Sequence, residues 1–135
     1  MGAEDYLLTS TINGILAQRL VRTLCPKCRE ATTALPEVVE QMGLRRFQGT
    51  GEITLYKPVG CAECAGTGYF GRICILEMLT MTDTIRSLIM RHATAGDLRA
   101  AAIAEGMETM FENGLRKSLA GITTIEEVLR VTRED

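Results

Sequence analysis

The 135-residue sequence is poor in aromatic residues and in lysine. It has no tryptophan, 4% aromatic residues, three lysines and a formal net charge of −2. Sequence-independent nucleic-acid binding relies on clustered basic residues, and single-strand binding adds exposed aromatic rings. The composition therefore argues against a nucleic-acid-binding protein. Hydrophobic residues make up 46% of the chain, so the core must be built mainly from aliphatic side chains.

The sequence also lacks any apolar run close to the roughly 18 residues that a membrane span requires. Its first residues carry no secretory leader pattern. Cysteines without such a leader favour a reducing cytoplasm, where structural disulfides are rare. We therefore expect a cytoplasmic chain without a transmembrane segment, comprising one domain, or one domain and a piece of another.

Signatures of phosphate binding and catalysis are missing as well. A P-loop needs a glycine-rich turn ending in Gly-Lys-Ser/Thr, and none of Lys27, Lys57 and Lys117 follows a glycine. His92 is the single histidine, and no nucleophile or carboxylate constellation surrounds it in the sequence. A solvated helix end is the expected place for such a residue. We predict no catalytic residue in this chain.

Four cysteines form two C-x-x-C pairs, Cys25–Cys28 and Cys61–Cys64, separated by 32 residues. Two such pairs have the spacing of a closed tetrahedral site, and four thiolate ligands are typical of one structural zinc ion. The small residues after Cys64, residues 65–68, would let backbone N–H groups donate to sulfur. One Zn²⁺ held by four thiolates would change the formal charge from −2 to −4.

Two other interpretations of the cysteines stay open at this stage. A structural disulfide is one, although C-x-x-C spacing is short for it. A thioredoxin-like redox pair at Cys25 and Cys28 is the other, although that motif belongs at the start of a helix. Cys74 lies in an apolar run and is expected to be a small buried side chain rather than a ligand.

A long N-terminal helix is predicted over residues 4–24. Apolar residues recur there at three- and four-residue steps, as on one face of a helix: Leu7, Leu8, Ile12, Ile15, Leu16, Leu20, Val21 and Leu24. Arg19 and Arg22 lie off most of this stripe, which indicates solvent-exposed side chains. The helix would lead directly into Cys25 and orient the metal site.

The excursion between the cysteine pairs, residues 29–60, has little core of its own. Pro36 and Gly43 predict the start and end of a short helix within residues 36–47. Alternating residues predict a short strand over 52–56. Metal binding would offset the ordering entropy of this excursion and contribute to its folding free energy.

The remainder predicts one strand and then helices. Residues 71–79 form an apolar, β-prone run that suggests a strand buried on both faces. Residues 80–135 contain four helical patterns that suit a small bundle. Their capping patterns place the helix starts at Thr82 or Asp83, at Thr94, at Thr109, and at Thr123 with Glu126 or Thr124 with Glu127. The predicted fold class is α+β and mainly helical, with a long N-terminal helix, a tetracysteine module, one late buried strand and a C-terminal helical bundle.

Three stretches together resemble the C-terminal region of the ATPases of bacterial type II secretion and type IV pilus assembly, the general secretion pathway protein E family. The first is residues 16–28, which end in Cys25-Pro26-Lys27-Cys28. The second is residues 60–72 leading to Glu77, and the third is residues 106–129, with Gly121-Ile122-Thr123-Thr124 near its end. The resemblance covers nearly the whole chain, in order and with the expected spacing.

The resemblance implies a context for the chain. Members of this family are similar to RecA-type hexameric ATPases at the cytoplasmic side of the inner membrane, where they work with inner-membrane platform proteins. It implies a late core helix over 1–24, a tetracysteine zinc-binding module over 25–68, a late core strand over 69–79 and a helical subdomain over 80–135. Neighbouring subunits of the hexamer and platform proteins would be its partners.

The chain departs from the family by lacking the P-loop. The resemblance therefore implies a fragment that does not hydrolyse ATP alone, with ATP and Mg²⁺ bound only in the full-length parent. Arg19, Arg22 and Arg72 are candidates for contact at the nucleotide edge, since guanidinium groups suit phosphate or adenine. The alternative for each is a structural salt bridge.

Two other function classes remain as alternatives. Residues 61–68 also satisfy the C-x-x-C-x-G-x-G unit of zinc modules in the J-domain co-chaperones, but those proteins carry several copies and this chain has one. A stand-alone zinc module could thus bind proteins as a chaperone does. A nucleic-acid-binding zinc ribbon is the other alternative, and the composition argues against it.

Overall fold

The computed structural model of the chain describes residues 13–132 and shows a mixed α+β fold, as expected. Its strands are β1 (Gly14–Leu24), β2 (Glu30–Thr33), β3 (Thr54–Lys57) and β4 (Tyr69–Thr80). Its α-helices are α1 (Pro36–Met42), α2 (Asp83–Met90), α3 (Ala95–Ala104), α4 (Met110–Leu119) and α5 (Ile125–Thr132). A 3₁₀ turn, Leu44–Arg46, follows α1, and the sheets pair β1 with β4 and β2 with β3.

The predicted helix over residues 4–24 is wrong for its second half, because residues 14–24 form β1. Residues 4–12 lie outside the described part of the chain. β1 runs antiparallel to β4, since Gly14 lies beside the Leu79 carbonyl whereas the Thr23 hydroxyl donates to the Phe70 carbonyl. An apolar-rich segment can match both helical and strand periodicity, and pairing with a distant strand decides the outcome here.

The chain divides into two compact units. The helical unit contains residues 13–18 and Leu76–Thr109, and the cysteine unit contains Arg19–Ile75 with residues 110–132. All four predicted C-terminal helices are present. They pack as two pairs, with α2 against α3 in the helical unit and α4 against α5 in the cysteine unit.

The helical unit is held by the packing of α2 on α3. Met81, Ile85 and Ala102 form its buried core. The predicted helix starts are confirmed, with Thr82 and not Asp83 as the N-cap of α2. The Thr82 hydroxyl accepts the Ile85 N–H at 3.3 Å, and the Thr94 hydroxyl accepts the Asp97 N–H at 3.1 Å. Each cap satisfies a backbone donor that the first turn of a helix leaves without a partner.

The cysteine unit has two buried clusters, and both use its C-terminal helices. Val21, Ile75 and Val128 form the first, joining β1 and β4 to α5. Leu44, Ile53 and Leu115 form the second, joining the excursion to α4. The excursion therefore packs its apolar side chains on α4, in keeping with its small number of internal core residues.

The excursion itself follows the sequence prediction closely. Pro36 begins α1, and Gly43 ends it with φ of 65° in the left-handed region that favours glycine. β2 and β3 form an antiparallel pair in which Glu30 lies opposite Lys57. The predicted strand over 52–56 is found as β3, which begins two residues later and ends one residue later.

β4 confirms the predicted strand over 71–79, but not its burial on both faces within this chain. Ile75 is fully buried, whereas Phe70 is 62% exposed and Met78 is 51% exposed. Ile15, Leu16 and Leu20 on β1 are also about half exposed. The β1–β4 ribbon thus carries uncovered apolar side chains on a substantial part of its length.

Candidate metal centre

The two C-x-x-C pairs come together in one cluster of four thiols. The Sγ atoms of Cys25, Cys28, Cys61 and Cys64 all lie within 4.8 Å of one another. The Sγ···Sγ distance is 3.8 Å for Cys25–Cys61, for Cys28–Cys64 and for Cys61–Cys64. All five cysteines of the chain are free thiols in this structure, and Cys74 is half-buried and outside the cluster.

The separation of the sulfur atoms fits a tetrahedral metal site. A Zn–S bond of about 2.3 Å places the sulfurs of a regular tetrahedron about 3.8 Å apart. Three of the six sulfur pairs have this separation, and all six lie within 4.8 Å. Cys25 and Cys64 are buried, and Cys28 and Cys61 are half-buried. A four-thiolate, largely enclosed donor set is characteristic of structural rather than catalytic zinc. The residues present therefore fit the zinc ion that the spacing predicts.

Two short segments of backbone bring the pairs into register. Cys25 follows the last residue of β1, and its N–H donates to the carbonyl of Gly68 at 2.9 Å, just before β4 begins. A tight turn closes the second pair, with the Gly66 N–H donating to the Cys61 carbonyl at 2.8 Å. The pairing of β1 with β4 thus continues into the cysteine cluster and aligns its two halves.

Backbone N–H groups donate to the sulfur atoms, and within the small residues 65–68 it is Gly68 that does so, whereas the N–H groups of residues 65–67 donate to carbonyls. Cys64 Sγ accepts from Cys61 N at 3.2 Å and from Gly68 N at 3.1 Å, and Cys28 Sγ accepts from Gly60 N at 3.3 Å. Gly68 has φ of 82°, and a Cβ there would lie 2.4 Å from the Pro58 Cβ. Only glycine therefore fits this position without displacing Pro58.

The thiols of Cys61 and Cys64 have pKa values shifted in opposite directions. Burial opposes ionisation of Cys64, but the N–H groups of Cys61 and Gly68 and the neighbouring thiols lower its pKa to about 6. For Cys61, a backbone hydrogen bond from Cys64 favours the thiolate, but burial and the thiols of Cys64 and Cys25 raise the pKa to about 11. A bound divalent cation replaces such thiol protons, since a coordinating sulfur is deprotonated.

The three candidate arginines lie in different surroundings. Arg19 and Arg72 are exposed on β1 and β4. Arg22 is half exposed, and its guanidinium lies 3.1 Å from the Glu127 carboxylate and 4.1 Å from the centre of the Tyr69 ring. Arg22 thus has the structural salt bridge considered as its alternative. Contact between any of the three and nucleotide stays a prediction.

Sequence reasoning missed the importance of Glu127, whose side chain is 3% exposed and which contacts Arg22 and Arg130. The only signal was its place three residues after Thr124 in a capping pattern. The Thr124 hydroxyl does accept the Glu127 N–H at 3.2 Å. In a capping box the acidic side chain returns to its own helix start, whereas that of Glu127 accepts the backbone N–H of Arg22 at 2.7 Å.

No helix in the described part of the chain has both the length and the apolar character needed to cross a membrane.

Comparison with known proteins supports the sequence resemblance. Type II secretion system protein E of Xanthomonas campestris is 56% identical over 134 residues, which are 99% of this chain and 24% of that protein. The protein of the same name from Pectobacterium carotovorum is 46% identical and is matched over 26% of its length. Type IV pilus assembly ATPase PilB of Thermus thermophilus is 42% identical and is matched over 15% of its length.

The chain therefore spans about a quarter or less of these relatives. The relatives are secretion and pilus-assembly proteins, and this favours the secretion interpretation over the co-chaperone and nucleic-acid alternatives. The family described as Type II/IV secretion system protein matches residues 1–130. By this match, which takes in almost all of its length, the chain belongs to the Type II/IV secretion system protein family.

Proposed function

We propose that the chain is a non-catalytic C-terminal part of a hexameric motor ATPase for protein secretion or pilus assembly. The names of its relatives support this role, since they include secretion system protein E and a pilus assembly ATPase. The sequence has no P-loop, so nucleotide hydrolysis would need residues outside it. ATP and Mg²⁺ would act in the longer parent, and Arg19, Arg22 or Arg72 would lie at the edge of its nucleotide site.

In this proposal the β1–β4 ribbon belongs to the edge of a RecA-like core. Ile15, Leu16 and Met78 support this, because they are large apolar side chains about half exposed on paired strands. Apolar strands of this kind are usually covered in α/β proteins. β4 would be the late core strand that the resemblance implies. β1 would be a second core strand, in the region where the resemblance implied a helix.

The four cysteines would hold one structural zinc ion, and the observation that carries this proposal is the set of 3.8 Å sulfur separations. A bound Zn²⁺ supplies cross-linking of two chain segments rather than reactivity. The residues between the ligands, including Lys27 and Glu63, are exposed at the surface of the cluster. This surface would contact a neighbouring subunit or an inner-membrane platform protein, on the cytoplasmic side of the membrane.

Metal content and thiol reactivity, measured together on the purified 135-residue chain, test the metal site. We expect one zinc per chain and four thiols protected from a thiol reagent until a chelator is added. A chain that takes up no metal from micromolar zinc, or that forms a disulfide between Cys25 and Cys28 instead, would overturn the structural-zinc proposal.

The motor assignment needs a separate experiment in the longer parent protein. We expect the chain alone to show no ATP turnover above buffer, and we expect a parent carrying Cys61→Ser to lose secretion or piliation while a purified sample still binds nucleotide. A Cys74→Ser parent is the matched control and should retain its function. ATP hydrolysis by the isolated chain would contradict the non-catalytic role.

A further inference from the structure

Buried polar residues are concentrated near the end of the chain. Among the described residues, the buried polar or charged side chains all lie within 118–127. They are Ser118, Thr123, Thr124 and Glu127. No buried side-chain nitrogen or oxygen in this part of the chain lacks a hydrogen-bond partner. A fully satisfied buried network fixes one geometry, and it becomes costly when one of its partners moves away.

The partners of Thr123 and Glu127 lie on the segment that enters the first cysteine pair, residues 22–25, whereas Ser118 donates to the Gly114 carbonyl within α4. The Leu24 N–H donates to the Ile122 carbonyl at 2.8 Å, and the Thr123 hydroxyl donates to the Arg22 carbonyl at 2.7 Å. The Glu127 carboxylate accepts the Arg22 backbone N–H at 2.7 Å and its guanidinium at 3.1 Å. Four hydrogen bonds therefore join residues 122–127 to Arg22 and Leu24, which lie just before Cys25.

The network also reaches the segment that leaves the second pair, residues 68–69. The Tyr69 hydroxyl lies 3.0 Å from the Thr124 hydroxyl, and the Arg22 guanidinium stacks 4.1 Å from the centre of the Tyr69 ring. Gly68 connects this segment to the cluster twice, since its carbonyl accepts the Cys25 N–H and its N–H donates to Cys64 Sγ. The segment that enters the first ligand pair and the segment that follows the second pair are thus the two that contact residues 122–127.

We infer that the tetracysteine site and the C-terminal segment 121–130 are thermodynamically coupled, so that metal binding holds the last helix in place. The inference rests on the proposed structural zinc and goes beyond it, because the proposal assigns the metal no effect on the C-terminal helix. Four shared ligands would join the chain directly after residues 22–24 to the chain directly before residues 68–69. Without that constraint the two segments separate more readily, and the buried Glu127 carboxylate loses the Arg22 partner that offsets its desolvation.

Coupling of this kind is reciprocal. If metal binding stabilises the docked C-terminal segment, then the docked segment must stabilise metal binding by the same factor. Substitutions at Thr123 or Glu127 should therefore weaken zinc retention although neither residue is a ligand. The reciprocity separates this inference from a purely local role of the metal, which would leave zinc retention insensitive to α5.

The effect of the metal on the C-terminal segment can be tested by hydrogen exchange. Uptake is measured by mass spectrometry on the zinc-loaded and the chelator-treated 135-residue chain. We expect chelation to raise deuterium uptake in residues 121–130 as well as in 25–35 and 58–70, with α3 unchanged. Unchanged uptake in 121–130 would overturn the inference. So would an equal rise throughout α4, because it would indicate general unfolding of the cysteine unit.

The effect of the C-terminal segment on zinc retention can be tested by comparing the rates at which variants release zinc to a chromogenic chelator. We expect Glu127→Gln and Thr123→Val to release zinc at least about fivefold faster than wild type, within the usual range of coupling factors. Glu112→Gln is the matched control, since Glu112 lies on α4 and pairs with Arg46 at 3.1 Å. Its release rate should stay within about twofold of wild type.

The two proposals fail in distinguishable ways. One zinc per chain, with release rates equal among all variants, would overturn the coupling and leave the structural zinc intact. A chain that binds no zinc at all would overturn both, and the metal content of the same samples shows which has occurred.

Discussion

The carboxylate of Glu127 contacts Arg22 twice, through the backbone N–H at 2.7 Å and through the guanidinium at 3.1 Å. These residues are 105 positions apart in the sequence, at the end of β1 and in the first half of α5. Arg130 approaches the same carboxylate at 3.0 Å. A buried anion held by two cations and a backbone donor is stable only while all of them stay in place.

Acid should weaken the cysteine unit through Glu127. Burial opposes the charge, but hydrogen bonds from Arg130 and Arg22 outweigh it and lower the pKa of this carboxyl from 4.5 to about 2. A lowered folded-state pKa contributes stability that is present above pH 4.5 and is lost as the pH falls toward 2. The shift corresponds to a contribution on the order of 3 kcal/mol at neutral pH.

We therefore expect Glu127→Gln to be less stable than wild type at pH 6 and the difference to shrink by pH 3. Denaturant unfolding of both proteins at the two pH values measures the difference in their free energies of unfolding. Acid also protonates cysteine ligands, but it does so in both proteins. The stability difference between wild type and variant is therefore compared at pH 6 and pH 3, not the stability of either protein alone. A difference that is the same at pH 6 and pH 3 would contradict the assignment to Glu127.

Loss of one ligand should affect the cysteine unit and spare the helical unit. We expect Cys61→Ser to weaken zinc binding by more than about 100-fold, since even residues outside the ligand set commonly change affinity 10- to 100-fold. Amide exchange should rise across residues 29–66 and remain slow in α2 and α3. Cys74→Ser removes a thiol outside the cluster, and it should leave both zinc content and exchange unchanged.

Gly68 should tolerate no side chain. In Gly68→Ala the new Cβ would lie 2.4 Å from the Pro58 Cβ at a backbone φ of 82°. We expect a loss of about 2–4 kcal/mol from strain and crowding combined, together with faster zinc release. Gly66→Ala isolates the strain, since φ there is 79° but no heavy atom lies within 4 Å. Thermal unfolding and zinc release of the two variants should therefore differ clearly, and equal effects would contradict the contact with Pro58.

Gly114 should be required for close packing of α4 on α5. Alanine normally stabilises a helix interior by up to about 1 kcal/mol relative to glycine. Here its Cβ would lie 2.6 Å from Val128 Cγ1, so we expect Gly114→Ala to destabilise the chain by about 1–3 kcal/mol. Gly96→Ala on α3 has only a contact of 3.8 Å and should be neutral or stabilising. Unfolding by urea measures both, and a stabilising Gly114→Ala would show that α5 shifts freely.

Features with a local cause were predictable from the sequence. Thr82 and Thr94 were identified as caps because a capping hydroxyl acts on a donor three residues away. Gly43 was identified as a helix stop because glycine readily adopts the left-handed backbone that ends a helix. The metal cluster was identified because the C-x-x-C spacing carries the ligand geometry within each pair, and only the meeting of the two pairs required the fold.

Features with a distant cause were not predictable. The helical pattern of residues 15–24 was misleading, because the strand pairing of β1 depends on β4, more than forty residues later. The buried ion pair of Glu127 depends on a residue 105 positions away. The expected burial of β4 on both faces is absent within the described chain, where Met78 and Phe70 remain exposed.

The excursion begins and ends at the cysteine cluster, and an exposed bend near Thr50 lies between the 3₁₀ turn Leu44–Arg46 and β3. Cleavage at Thr50 would produce one peptide carrying Cys25, Cys28 and β2, and a second carrying Cys61, Cys64 and β3. Each peptide would bring half of the ligand set and one strand of the β2–β3 pair. The chain is thus divisible into two halves that a shared zinc ion would join, which makes this bend a candidate position for a metal-dependent split reporter.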